Sequence, residues 1–62
     1  MPVVIVEMWA GRTEEQKAAV IRGITKVFED IGIKPEHVQV IIHEIPKNNW
    51  GVGGEQASKR FP

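Results

Sequence analysis

Cysteine is absent from the chain, and serine occurs once, as Ser58. There is therefore no disulfide to stabilise the fold, and neither a Cys-His nor a Ser-His-Asp arrangement can be assembled for nucleophilic catalysis. His37 and His43 lack companions at the spacing of metal ligands, so we expect no metal site. His43 is interpreted as a packed or pairing histidine rather than a catalyst.

Neither sign of charge is in excess, since eight basic residues balance eight acidic ones. This balance argues against a nucleic-acid surface that depends on bulk positive charge. No apolar run approaches the roughly 20 residues of a membrane span, and the basic and apolar regions of a signal peptide are missing. We therefore expect a cytoplasmic protein with no nucleic-acid or membrane partner.

The chain has only 62 residues. A domain of this size buries about 60% of the surface that its unfolded chain exposes. Without disulfides or metal, association with further copies is the remaining source of stability. We expect one domain over residues 1–62 that forms a homo-oligomer.

Two apolar stretches flank one helix in the predicted fold. Residues 3–9 and 38–45 predict strands, because both are rich in β-branched side chains. Thr13 and Gln16 have the spacing of a capping box, which starts the helix, and Gly32 is placed to end it. A strand, a helix of about 18 residues and a second strand form a right-handed crossover with parallel strands. The predicted class is α/β (α+β), with a single β-α-β unit.

The glycines at 51, 53 and 54 lack the Lys-Ser/Thr of a phosphate loop and predict a tight turn or hairpin. The sheet face away from the helix stays apolar, so we expect another subunit to cover it. Phe61 is a candidate anchor of the carboxyl-terminal tail on a neighbour. Apolar residues at three- and four-residue steps predict the inner face of the helix: Ala19, Val20, Ile24, Val27, Phe28 and Ile31.

Pro2 directly follows the initial methionine and leads into the first strand. If Met1 is removed, Pro2 becomes a free secondary amine at the tip of that strand. A chain amine has a reference pKa of about 7.7–8.0, so modest desolvation leaves it neutral near pH 7. Pro2 is therefore a candidate catalytic base, although proline is also tolerated as an ordinary first residue of a strand.

Two further residues are candidates for binding a substrate. Arg12 lies just before the helix, and its planar guanidinium can hold a carboxylate through two hydrogen bonds. The alternative is a solvated arginine in a turn. Trp50 stands among glycines, and is either an anchor at a subunit interface or an apolar wall over a site; both roles are compatible.

Four segments are specific in combination: Pro2, residues 11–17, residues 40–44 and residues 50–59. Read together, they resemble the small members of the tautomerase superfamily, the 4-oxalocrotonate tautomerase family, over nearly the whole chain. The resemblance implies a β-α-β protomer with a short carboxyl-terminal hairpin, usually assembled as a hexamer of three dimers. It also implies a cofactor-independent isomerase that moves a proton on 2-hydroxymuconate-like or related enol carboxylic acids in aromatic hydrocarbon catabolism.

The resemblance also implies a role for each matching residue. Pro2 is the base that carries the proton, and Arg12 binds the substrate's distal carboxylate. Trp50 replaces the aromatic wall that keeps the pocket dry, and the backbone amide near Trp9 donates to the substrate's oxygens. Gln39 stands where the family's best-studied members carry a second arginine, with one residue fewer in the preceding loop. Because charge-assisted hydrogen bonds are roughly twice as strong as neutral ones, we expect dienolate stabilisation to fall by about 1–3 kcal/mol.

Two other functions are compatible with the sequence. In a non-catalytic oligomeric binding or scaffold protein, a retained Met1 would block Pro2. A related hydratase or dehalogenase of small unsaturated acids would need a carboxylate that activates water, and Glu7, Glu44 and Glu55 are the acids considered for that role.

Overall fold

A computed structural model describes residues 2–62 of the chain. Strand β1 covers Val3–Trp9, helix α1 covers Glu14–Asp30 and strand β2 covers Gln39–Ile45. The two strands pair in parallel, from Val3 opposite Gln39 to Trp9 opposite Ile45. The predicted β-α-β unit is confirmed.

Local sequence signals set both ends of α1. The Thr13 side chain accepts from the Gln16 amide at 3.1 Å, and the Gln16 side chain accepts from the Thr13 amide at 3.0 Å, so the capping box is present. At the other end, Gly32 has φ +96°, and the amides of Gly32 and Ile33 donate to the carbonyls of Glu29 and Phe28. These two bonds form a Schellman motif, which needs a residue such as glycine with positive φ.

The carboxyl-terminal segment forms the predicted hairpin. Strands β3 (Gly51–Val52) and β4 (Glu55–Gln56) pair in antiparallel fashion. Gly53 and Gly54 connect them with φ +61° and +82°, as a two-residue turn of the I′ type requires. Helix α2, Ala57–Arg60, follows at once. Two short 3₁₀ helices complete the elements, Pro35–His37 and Lys47–Asn49.

The core of a single protomer is incomplete. Helix α1 covers one sheet face, where Val4, Val6 and Met8 are half-buried. On the opposite face Ile5 remains 55% exposed, so this face has no cover within residues 2–62. Ala57 is the only fully buried hydrophobic residue in that range.

The predicted inner face of α1 is partly wrong. Val20, Ile24 and Phe28 are half-buried as expected, but Val27 and Ile31 are 60% and 69% exposed. A two-stranded sheet is too narrow to cover an apolar stripe of this width, so the outer part of the stripe is left uncovered in the single protomer. Ala19 is also exposed.

No helix within residues 2–62 combines the length and the apolar character needed to cross a membrane.

Candidate active site

A cavity lies where the two parallel strands end. Because Trp9 is opposite Ile45, the segments that leave β1 and β2 meet at the same edge of the sheet. The cavity has a volume of about 290 Å³ and is lined by Trp9, Ala10, Gly11, Arg12 and Lys47. Arg12, predicted as a carboxylate-binding residue, therefore borders a real cavity.

The turn that carries Arg12 is held by an ion pair between β2 and α1. Lys17 Nζ lies 2.8 Å from Glu44 Oε1, and the Gly11 amide lies near enough to the Glu44 carboxylate to favour its charged form. The hydrogen bond from Lys17 is the main cause that holds the pKa of Glu44 below its usual value, with the Gly11 amide adding to it against some desolvation. Gly11 has φ +118°, a conformation that side chains rarely adopt.

An aromatic cluster lies beside the cavity, and its member Trp9 lines the cavity directly. The Trp9 ring meets Trp50 edge-on, with centroids 5.9 Å apart, and Phe61 at a centroid distance of 5.6 Å. Phe61 thus packs on Trp9 of its own chain and remains 43% exposed, so its contact with a neighbour stays a prediction. Trp9 Nε1 is buried and has no acceptor among residues 2–62.

Lys47 completes the wall. Its Nζ atom lies 4.8 Å from the centroid of the Trp9 ring and donates to the Phe61 carbonyl oxygen at 2.6 Å. Within residues 2–62, neither Lys47 nor Arg12 forms an ion pair with a carboxylate. The cavity therefore presents two cations and no acidic side chain among its lining residues.

Pro2 lies at the opposite end of β1. Its carbonyl accepts from the Gln39 amide at 3.0 Å, and it is half-buried. At about 3.3 Å per residue, the strand separates Pro2 from Trp9 by about 23 Å. The structure thus brings Pro2 together with Gln39, and Arg12 together with Trp9 and Trp50, but it does not bring the two groups together within one chain.

The remaining candidate acids and histidines lie apart from Pro2 in the chain. Glu7 and His43 face each other across the strands, with 3.0 Å between Oε2 and Nδ1. This confirms the interpretation of His43 as a pairing histidine. Residues 2–62 contain no group of three or more histidine, cysteine, aspartate or glutamate side chains arranged for a metal ion.

The structure thus combines a parallel β-α-β protomer and a carboxyl-terminal hairpin with a cationic cavity at one edge of the sheet. The family model described as "Tautomerase enzyme" matches residues 2–60. The chain belongs to the tautomerase family and is an isomerase.

Relatives support this assignment along the whole chain. The 2-hydroxymuconate tautomerase of Comamonas testosteroni is 43% identical over 60 residues, which cover 95% of each chain. A 4-oxalocrotonate tautomerase isozyme from Methylibium petroleiphilum is similar in structure, with a TM-score of 0.90 and 44% identity over 98% of this chain and 100% of the other. A fused 4-oxalocrotonate tautomerase, described as an asymmetric trimer, gives a TM-score of 0.91 at 33% identity; the alignment covers 97% of this chain and 50% of that one.

Lys47 is a residue of this cavity that the sequence analysis did not predict. The structure places it in the cavity of its own chain, beside Arg12. The signal that identifies it is the parallel pairing itself, because residues just after Ile45 and just after Trp9 must meet at one sheet edge.

Proposed function

We propose that the chain is a cofactor-independent tautomerase of 2-hydroxymuconate-like enol carboxylic acids, in which Pro2 is the general base once Met1 has been removed. The observation that carries the proposal is the cationic, aromatic-walled cavity around Arg12 in a chain that has a proline in position to become its amino terminus. The substrate class follows the names of the relatives. The neutral amine accepts the proton of the enol hydroxyl and returns it to a conjugated carbon, so no net proton is gained or lost.

The active site is proposed to form between subunits. Pro2 and Arg12 belong to opposite ends of a strand that spans about 23 Å, a length that no small enol acid bridges. A neighbouring copy with its strand reversed would place its Arg12 and Trp50 beside Pro2 of the first copy. Pro2 and Gln39 then form one half of each site, and the Arg12 cavity forms the other half.

The dimensions of the protomer support an oligomer. Its radius of gyration is 14.5 Å, whereas a compact domain of this length has about 11 Å. Its accessible surface is 4667 Å², against about 4,000 Å² for a monomer of this mass. The uncovered sheet face with Ile5 and Ile41 offers an apolar surface for association. We propose a homohexamer built from three dimers, in keeping with the family.

Each group at the site has a distinct proposed task. Arg12 holds the distal carboxylate, and the Trp9 and Trp50 rings exclude water, which strengthens this charge-assisted bond and favours the neutral form of the Pro2 amine. Gln39, beside Pro2, donates a neutral hydrogen bond to the oxo end of the substrate. The backbone amide near Trp9 contributes a second donor.

The hydratase or dehalogenase alternative finds less support. It needs a free carboxylate near Pro2, but Glu7 is paired with His43 and Glu44 with Lys17. Glu55, in the carboxyl-terminal hairpin, has its Oε1 atom 4.0 Å from Nη1 of Arg60.

The proposal is tested by turnover of 2-hydroxymuconate and phenylenolpyruvate. Loss of a general base typically lowers the rate by about 10²–10⁴-fold, and we expect a decrease of this size in kcat for Pro2→Gly. Arg12→Ala should mainly raise KM for the dicarboxylate. Intact mass of the protein from its own cells establishes whether Met1 is removed. Full turnover by Pro2→Gly, or a retained Met1, would refute the proline mechanism. A retained Met1 together with absent turnover would favour the binding-protein alternative.

A further inference from the structure

Two cations share one cavity at the end of the sheet. Arg12 and Lys47 both line it, and the other lining residues, Trp9, Ala10 and Gly11, carry no charge. Like charges that face one cavity repel each other, and the repulsion is relieved when an anion binds between them. The Glu44 carboxylate lies near Gly11, but it is paired with Lys17 at 2.8 Å. It is therefore already engaged.

The Lys47 ammonium is held in place before any ligand arrives. It lies above the Trp9 ring at 4.8 Å and donates to the Phe61 carbonyl at 2.6 Å, and Lys47 as a whole is half-buried. An ammonium has three hydrogen-bond donors, so at least one remains for a ligand after the bond to Phe61. A lysine fixed in this way loses less side-chain entropy on binding than a free surface lysine.

We propose that Lys47 is a substrate-binding residue, which together with Arg12 of the same chain holds the distal carboxylate of a dicarboxylate substrate. This inference rests on the proposed function, because it assigns the ligand of the Arg12 half of the composite site. The two cations take the two oxygens of one carboxylate, with Arg12 as a planar donor and Lys47 as a point charge.

The proposal explains how the charge is distributed over the site. Gln39 supplies no charge beside Pro2, so the oxo end of the substrate is bound by neutral donors. Both cations lie at the distal end. A second carboxylate on the substrate is therefore recognised at the end that is distant from the proton transfer. Substitution of Lys47 should for this reason change KM more than kcat.

The test compares two ligands that differ only at the distal end. 2-Oxoadipate and 2-oxohexanoate have the same length, but the second ends in a methyl group. We would measure the dissociation constants of both ligands by calorimetry in a Pro2→Gly background, where turnover has no influence. The proteins compared are the one that retains Lys47 and the variants Lys47→Met, Lys47→Gln and Lys47→Arg. Lys26→Met, which removes a charge from the exposed face of α1, is the matched control.

The expected result is selective for the dicarboxylate. Loss of one charge-assisted bond should weaken 2-oxoadipate binding about tenfold in Lys47→Met and Lys47→Gln, with less than a twofold change for 2-oxohexanoate. Lys47→Arg should retain most of the affinity, and Lys26→Met all of it. Equal effects on both ligands, or no effect on either, would overturn the assignment of Lys47.

A measurement on the unmutated side chain covers the case in which Lys47 variants misfold through lost contact with Trp9 and Phe61. The Nζ chemical shift of Lys47 should change on titration with 2-oxoadipate and stay unchanged with 2-oxohexanoate. A chemical shift that changes with neither ligand would refute the proposal. Failure of the proposed function is recognised separately, by undiminished turnover in Pro2→Gly.

Discussion

Pro2 and Trp9 stand at the two ends of strand β1, and the extended backbone between them places these residues about 23 Å apart. The Arg12 cavity follows directly after Trp9. With Pro2 as the proposed base and Arg12 as the proposed carboxylate-binding residue, the two residues of one chain would serve two different sites.

This separation predicts that two variants with lowered kcat/KM complement each other. Pro2→Gly chains still carry Arg12, and Arg12→Ala chains still carry Pro2. When the two are unfolded together in equal amounts and refolded, random assembly gives about a quarter of the sites one intact copy of each residue. We expect kcat/KM for 2-hydroxymuconate to recover to about that fraction of the wild-type value.

The control for complementation is a double variant that carries both substitutions in one chain. Refolded with wild-type chains, it should give the same recovery of about a quarter, since each site then needs two wild-type contributors. A mixture of the single variants that shows only the mean of their separate activities would mean that each site draws both residues from one chain.

A second prediction concerns the uncovered sheet face. Ile5 is 55% exposed in the protomer, and an apolar side chain buried in an interface contributes about 1.5–3 kcal/mol. Ile5→Lys would bury an unpaired charge there, so we expect smaller oligomers in sedimentation velocity and a lower unfolding midpoint at equal protein concentration. Glu29→Lys, which changes an exposed residue of α1, is the control and should leave the oligomer intact. An Ile5→Lys protein of unchanged size would place the interface elsewhere.

Much of the fold is predictable from local signals, because those signals act within a few residues. Thr13 and Gln16 cap the helix through contacts three positions apart, and Gly32 ends it by its own backbone conformation. Pairing of the strands follows from their length and order. The exposure of Val27 and Ile31 could not be predicted in the same way. Periodicity identifies an apolar stripe, but it does not say whether the layer that covers the stripe belongs to the same chain.

The sequence identified single residues of the candidate site, but it did not predict their positions relative to one another. Spacing along the sequence identified Arg12 and Trp50, and both lie near the same sheet edge, where Trp50 packs on Trp9. The placement of Pro2 at the far end follows from the length of β1, a distance that motif spacing does not contain. The placement of Lys47 in the cavity depends on the register of the two parallel strands, which motif spacing also does not contain.

The Lys17–Glu44 pair makes a pH-dependent contribution to stability. The pKa of Glu44 in the folded protein lies below its ordinary value of 4.5, chiefly because Lys17 donates to its carboxylate. A lowered pKa means that this contribution is fully present above pH 4.5 and is lost as the pH falls through the folded-state pKa.

We therefore expect Glu44→Gln to lower the urea midpoint near pH 7, and expect the difference from wild type to vanish at a pH well below the folded pKa. Lys17→Met should behave in the same way, because it removes the partner. Urea titrations over this range at one protein concentration measure the effect. A difference that is the same at every pH would mean that the substitutions act through packing rather than through the carboxylate charge.

Gln39 is the position at which the positive charge of the family's second arginine can be restored beside Pro2. The backbone amide of Gln39 donates to the Pro2 carbonyl. The exposed Gln39 side chain lies at the strand position next to Pro2. An arginine there would replace a neutral donor to the developing dienolate with a charged one, worth about 1–3 kcal/mol more, which corresponds to about ten- to a hundredfold in kcat. We expect Gln39→Arg to raise kcat on 2-hydroxymuconate with little change in KM, while Gln39→Met lowers it. The opposite split, a lower KM with unchanged kcat, would place position 39 at the distal carboxylate and reverse the orientation of the substrate between Pro2 and the Arg12 cavity.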